Sequence, residues 1–191
     1  LIVASYYSWA ELGVYGVALQ LALLPAQIAG RAAASLLAPA FRRAIAAGEL
    51  ANKAMPALKG YCALSIVFVL GFGLLAEPVI QMVYGSDFKV GSPLIWALGF
   101  AAAIRIARTP VSQLAVALGK TSIPAKGNIL RALAIIPALL AAKLGAPIYA
   151  LAVAAVLGEA CAAARSWMLL RPFLTPSTPP KFLEALHDPA Y

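Results

Sequence analysis

Charge is scarce in this sequence. Of 191 residues only 22 are charged, 15 Lys or Arg and 7 Asp or Glu, which is 12% and about half the share of an ordinary soluble domain. Histidine occurs once, at His187, and cysteine twice, at Cys62 and Cys161. No Cys–His pair, metal-ligand spacing or glycine-rich phosphate loop can be assembled from so few groups, so the sequence points to no catalytic residues, no metal and no cofactor. Both cysteines sit in apolar runs. They imply no disulfide framework, and each is expected to be a small buried apolar residue. There is no charged leader with a cleavage site, and the chain opens at Leu1 inside an apolar stretch. The expectation is a piece of a longer membrane protein, cut between helices, with Leu1–Ala4 as the end of a preceding one.

What is present is hydrocarbon. Hydrophobic residues make up 63% of the chain and the mean hydropathy is +0.88. A folded chain of this length keeps a large surface, and in water that surface needs polar cover. The expected fold class is therefore an all-α integral membrane protein with about five transmembrane helices, since backbone groups in lipid must pair within their own segment. Spans are expected at about 12–38, 58–83, 93–118, 127–144 and 148–170, making residues 1–170 the transmembrane unit. Residues 171–191, rich in Pro, Ser and Thr, form a tail expected to be extended, with a short KFLEAL piece (Lys181–Leu186) suited to the membrane surface. The fourth span is the weakest, with Arg131 and Lys143 near its ends.

The net charge of +8 has no polar domain to carry it, so it does not indicate nucleic acid. It follows the positive-inside pattern instead. The first connection holds Arg42, Arg43, Lys53 and Lys59, the third Lys120 and Lys126, and the tail Arg171 and Lys181; the opposite side holds only Lys89 and Lys143. This places the first and third connections and the C-terminus in the cytoplasm.

The remaining five cations, Arg31, Arg105, Arg108, Arg131 and Arg165, lie inside spans. An Arg at the middle of a membrane helix costs roughly 2.5–3.5 kcal/mol, so it needs water or a partner. Arg105 falls near the centre of the third span. At about 100° per residue, Arg105, Arg108, Thr109 and Ser112 share one side of that helix. Pro110 sits within this polar stripe and frees the carbonyl of Ile106, which makes it a candidate hinge, as Pro25 is in the first span. Gln20, Gln27 and Arg31 form a second stripe on the first span, and Glu159 sits near mid-depth in the last. Together these residues suit an aqueous, mainly cationic path in which the planar guanidinium fork binds phosphate. The plainer reading has Glu159 neutralising Arg105 or Arg108, while Arg31, Arg131 and Arg165 snorkel to the membrane surface. Glu159 as a proton- or ion-coupling group is a further alternative. The remaining acids, Glu11, Glu49, Glu77, Asp87, Glu184 and Asp188, read as loop or helix-end residues.

The order of local signals resembles a known family. ELGVYGVALQLALLPAQIAGRAAASLLAPAFRRA (Glu11–Ala44), LAEPVIQMVYGSDF (Leu75–Phe88), LAVALGK (Leu114–Lys120) and LGAPIYALAVAAVLGEA (Leu144–Ala160) resemble, in order and spacing, segments of the polysaccharide biosynthesis and export branch of the multidrug/oligosaccharidyl-lipid/polysaccharide (MOP) exporter superfamily. Tyr149 stands where that family often has glycine. The resemblance implies two lobes of about six helices around a central cavity, with this chain as the C-terminal lobe and the missing N-terminal lobe of the same protein as its partner. It implies a flippase that moves lipid-linked oligosaccharide or polysaccharide precursors across the cytoplasmic membrane, as in O-antigen and lipopolysaccharide assembly. Arg105 and Arg108, with Ser112, Arg31 and Gln27, would then hold the pyrophosphate.

Three other readings compete. A multidrug or ion-coupled exporter of the same superfamily would favour an acid-lined pocket, whereas basic residues outnumber acids in these spans. A polymerase or ligase of polysaccharide assembly would call for a large polar outer loop, and the outer turns are short. A structural subunit would tolerate loss of Arg105 and Arg108.

Overall fold

A computed structural model describes residues 5–86 and 88–174. The described chain is all helical: α1 Trp9–Ala46, α2 Leu50–Tyr84, α3 Ser92–Ala117, α4 Ser122–Leu133, α5 Ile135–Lys143 and α6 Tyr149–Leu170, followed by a 3-10 turn at Arg171–Phe173. Counting α4 and α5 as one, five helices are long and apolar enough to cross a membrane. The protein is an all-α membrane protein. Leu1–Ala4, Asp87 and nearly all of the tail, including KFLEAL and His187, lie outside the described residues.

The helix ends follow from local chemistry. Ser8 and Glu11 form a capping box at the start of α1: the Glu11 amide donates to Ser8 Oγ at 3.2 Å, and the Ser8 amide donates to Glu11 Oε2 at 2.9 Å. α1 ends at Gly48, whose φ is +70°. The Glu49 amide reaches back to the Ala44 carbonyl and the Gly48 amide to that of Ile45, a Schellman closure that needs a residue without Cβ. The same pair of bonds closes α3 at Gly119 and α5 at Gly145.

Two segments depart from the sequence reading. The basic stretch expected as a loop after Ala38 is helical, with only Ala47–Glu49 between α1 and α2. Pro39 costs α1 one ladder bond, but Phe41 and Ala44 beyond it are 1% and 5% exposed, and that burial offsets the loss. At 38 residues, α1 is about 57 Å long and outreaches the ~30 Å hydrocarbon layer. Arg42, Arg43, Lys53 and Lys59 therefore ride on helices rather than on a loop. The fourth span, by contrast, is two helices broken at Ala134. Pro137 has no N–H for the Leu133 carbonyl and its ring crowds it; the Ala134 amide turns to Arg131 O in a tighter bond of 3.2 Å.

α3 is the central helix. Of its most apolar stretch 67% is buried, against 11–33% in the other spans. It packs on α1, α2 and α6, while α4 and α5 pack mainly on α6. One apolar cluster joins Ala18, Ala22 and Ala26 of α1 to Phe72, Ala76 and Ile80 of α2 and to Leu94–Ile106 of α3. Alanine every fourth residue brings these backbones close. A second cluster joins Phe41, Ala54, Leu58, Val111, Leu114, Ile123 and Leu170. It gathers at one end of the bundle the α1–α2 connection, the α3–α4 connection and the exit of α6. At the other end, Tyr7 donates from its hydroxyl to Ala146 O at 2.9 Å. Large apolar side chains face outward along the spans, among them Ile66, Val67, Leu70 and Leu74 at 52–69% exposure, as a lipid-facing wall requires. Both Cys62 and Cys161 are exposed, contrary to expectation. On a membrane helix an apolar residue need not turn inward, since the surroundings are as apolar as the core.

Candidate functional site

Near the middle of the bundle three helices bring charge together. Glu159 of α6 is 5% exposed. Its Oε1 lies 3.3 Å from Arg105 Nε of α3 and 3.5 Å from Arg131 Nη1 of α4, and its Oε2 lies 3.6 Å from Arg108 Nη2. At roughly 2.5–3.5 kcal/mol each, three unpartnered guanidiniums at mid-depth would cost on the order of 8–10 kcal/mol, comparable with the whole stability of a domain. One carboxylate lowers that cost but cannot neutralise three cations. The cluster keeps a net charge of +2.

Local sequence builds each wall. On α3, Thr109 donates its hydroxyl to Arg105 O at 3.0 Å and Ser112 to Arg108 O at 3.4 Å, around the site where Pro110 withholds an amide from Ile106. α3 is nonetheless an unbroken helix through Pro110, as α1 is through Pro25. Two glycines admit the neighbouring helices. A Cβ on Gly127 of α4 would lie 2.9 Å from both Arg108 Nη1 and Ser166 Oγ, so the bare backbone is the space that Arg108 occupies. A Cβ on Gly158 would lie 2.5 Å from the Ala134 Cβ and 3.3 Å from Arg131 O, so glycine beside Glu159 lets α6 reach the α4–α5 break. Ser166 donates to Ala162 O at 2.7 Å, and Arg108 Nη2 donates to Asn128 Oδ1 at 3.4 Å. Among the described residues, Arg108 Nη1 and Glu159 Oε2 are buried without a hydrogen-bond partner.

The cluster borders two clefts. The first, of about 390 Å³, lies between α1 and α3 and is walled by Gln27 and Gly30 and by Arg105, Arg108, Thr109, Ser112 and Gln113. The second, also about 390 Å³, is mostly apolar, with Leu19, Leu98, Ile135 and Leu151 among its walls and Arg131 and Glu159 as its charged groups. The two arginines of α3 are not equivalent. The Arg105 side chain is 29% exposed and the Arg108 side chain 7%, so of the two arginines that line the cleft and contact the acid, Arg105 is the more open.

Of the residues singled out from sequence, Arg105, Arg108, Ser112, Thr109 and Gln27 meet around the first cleft, and Glu159 stands behind it. Arg31 does not join them; it is exposed on α1, as is Gln20. Arg131, expected to snorkel away, is a member of the cluster. Asn128, Gln113, Ser166 and the glycines at 127 and 158 were not singled out, although a glycine directly before a polar residue within an apolar span, as at Gly127-Asn128 and Gly158-Glu159, is a signal that one sequence does carry.

The geometry describes a cationic pocket inside a membrane bundle. Residues 1–93 match the family model described as "Polysaccharide biosynthesis protein". The match covers 93 of 191 residues, just under half of the chain. The match spans α1, α2 and the entry to α3, of which α1 forms one wall of the first cleft. No curated protein and no solved structure matches the chain significantly. The match ends before Arg105, so the charged cluster lies outside the matched residues.

Proposed function

We propose that the chain is the C-terminal lobe of a flippase that carries lipid-linked oligosaccharide across the cytoplasmic membrane, acting as a transporter rather than an enzyme. The observation that carries this reading is the net +2 cluster of Arg105, Arg108, Arg131 and Glu159 at mid-span, open to a polar cleft. A lipid-linked sugar presents two anionic phosphates to the membrane interior, and guanidinium forks suit those oxygens. The cleft volume lies at the small end of the ~300–1,000 Å³ range for small-molecule sites. It suits a pyrophosphate head group, with the sugars housed in the space shared with the other lobe. The lobes rock to expose the site alternately, and Pro25 and Pro110 are the positions in α1 and α3 best suited to bend. The first and third connections and the C-terminus face the cytoplasm, where their cations belong. An exporter of cationic drugs would call for the opposite excess of charge.

In the full-length protein, Arg105→Ala is expected to reduce export of surface polysaccharide at least tenfold. This matches the ~1.5–3 kcal/mol of a charge-assisted contact. The amount of protein in the membrane fraction stays unchanged. Normal export with both Arg105 and Arg108 replaced would remove the site assignment.

A further inference from the structure

We infer that Arg105, Arg108 and Arg131 form a binding site for a single phosphate or pyrophosphate group, and that the Glu159 carboxylate is its resident stand-in, displaced when the ligand arrives. The inference rests on the flippase reading for the origin of the phosphate, but its geometry stands on the cluster itself. Three guanidiniums on two helices converge on one acid supplied by a third. Their contacts with it, at 3.3–3.6 Å, are longer than the ~2.7–2.9 Å of a tight charge-assisted bond. The carboxylate is therefore surrounded rather than clamped. Arg105 and Arg131 share its Oε1, while Oε2 and Arg108 Nη1 are both buried without a hydrogen-bond partner, so the carboxylate does not saturate the three forks. A phosphate group has more oxygens and more charge, and supplies both of the things the cluster lacks.

Access is already present. Arg105 opens onto the polar cleft and Arg131, with a side chain 36% exposed, onto the apolar one. Glu159 also lines the second cleft, which gives the displaced carboxylate somewhere to turn. Release of the ligand is then assisted by the acid returning to its place. Glu159 is in this respect a positioning residue that sets how tightly the arginines hold an anion.

The test uses the purified full-length protein in detergent, with inorganic pyrophosphate as the probe. Glu159→Gln is expected to lower the melting temperature, because three guanidiniums lose their counter-charge, and to recover it when pyrophosphate is added but not with chloride at equal ionic strength. Calorimetry should show pyrophosphate binding at least tenfold tighter than in the parent protein. Glu159→Asp keeps the charge on a shorter arm and should give a smaller rise in affinity, which preserves the test if the Gln variant does not fold. Binding no tighter than the parent in these variants, or a loss of stability that pyrophosphate does not restore, overturns the stand-in. If that happens while Arg105→Ala still abolishes export, the flippase reading survives without it; tighter binding in Glu159→Gln with normal export in Arg105→Ala has the reverse meaning. A polyprenyl pyrophosphate in the same micelles competes with the free anion if a lipid head group is the natural occupant, and its failure to compete assigns the site to a soluble phosphate.

Discussion

At the scale of single residues, two arginines about one turn apart on α3 differ in setting: the Arg105 side chain is partly open to the polar cleft and the Arg108 side chain is buried. The stripe of Arg105, Arg108, Thr109 and Ser112 is a matter of helical period along one segment, and the structure puts all four on one cleft wall. The partners across the gap were legible only in part. Glu159 stands out as the one acid deep in a span, but nothing in a single sequence says that Arg131 will reach it, because that contact depends on how α4 sits against α6. Arg31 lies one turn beyond Gln27 on α1 and is exposed outside the cleft that Gln27 lines. Arg31→Ala is accordingly expected to leave polysaccharide export within about twofold of the parent, and an export assay beside Arg105→Ala checks the difference. Arg108 differs from both. Truncating one partner of a buried pair typically costs ~3–5 kcal/mol, so Arg108→Ala should lower the thermal stability of the purified protein, whereas the half-exposed Arg105→Ala should lower it little.

At the scale of elements, the spans were legible from hydropathy and their ends were not. The first two helices run on through Pro39 and the basic segment because packing at Phe41 and Ala44 outweighs one missing bond, a tertiary effect that no charge count contains. The break at Ala134 has a local cause, Pro137 three residues on, and could have been read. The close approach of α6 to that break depends on Gly158. Alanine is the better helix former by ~0.8–1 kcal/mol, yet Gly158→Ala is expected to destabilise the protein by ~1–3 kcal/mol, because its Cβ would meet Ala134 at 2.5 Å. Gly16→Ala is the control. A Cβ there meets nothing within 4 Å, so the propensity gain should stand and raise the melting temperature slightly. Thermal unfolding of the two variants in one detergent decides the matter.

At the scale of the whole molecule, the composition alone was enough for an all-helical membrane bundle, since a surface this apolar cannot face water. The grouping of ends also follows from it, because successive spans alternate in direction. The structure gathers the α1–α2 connection, the α3–α4 connection and the α6 exit on one side, where Lys120 also lies over the Phe173 ring at 4.6 Å. With Cys62 and Cys161 replaced, since both are exposed, single cysteines at Gly85 and Thr121 report which side is which. A membrane-impermeant thiol reagent added to intact cells should label position 85 and spare position 121, and the opposite pattern would invert the topology.

The guanidinium cluster is tested most directly by transport itself. In proteoliposomes that hold the full-length protein, a lipid-linked oligosaccharide placed in one leaflet should become accessible in the other, and Arg105→Ala should slow that movement at least tenfold at equal protein content. Undiminished movement by the Arg105→Ala protein would contradict the claim that a cationic site within the bundle receives the phosphate.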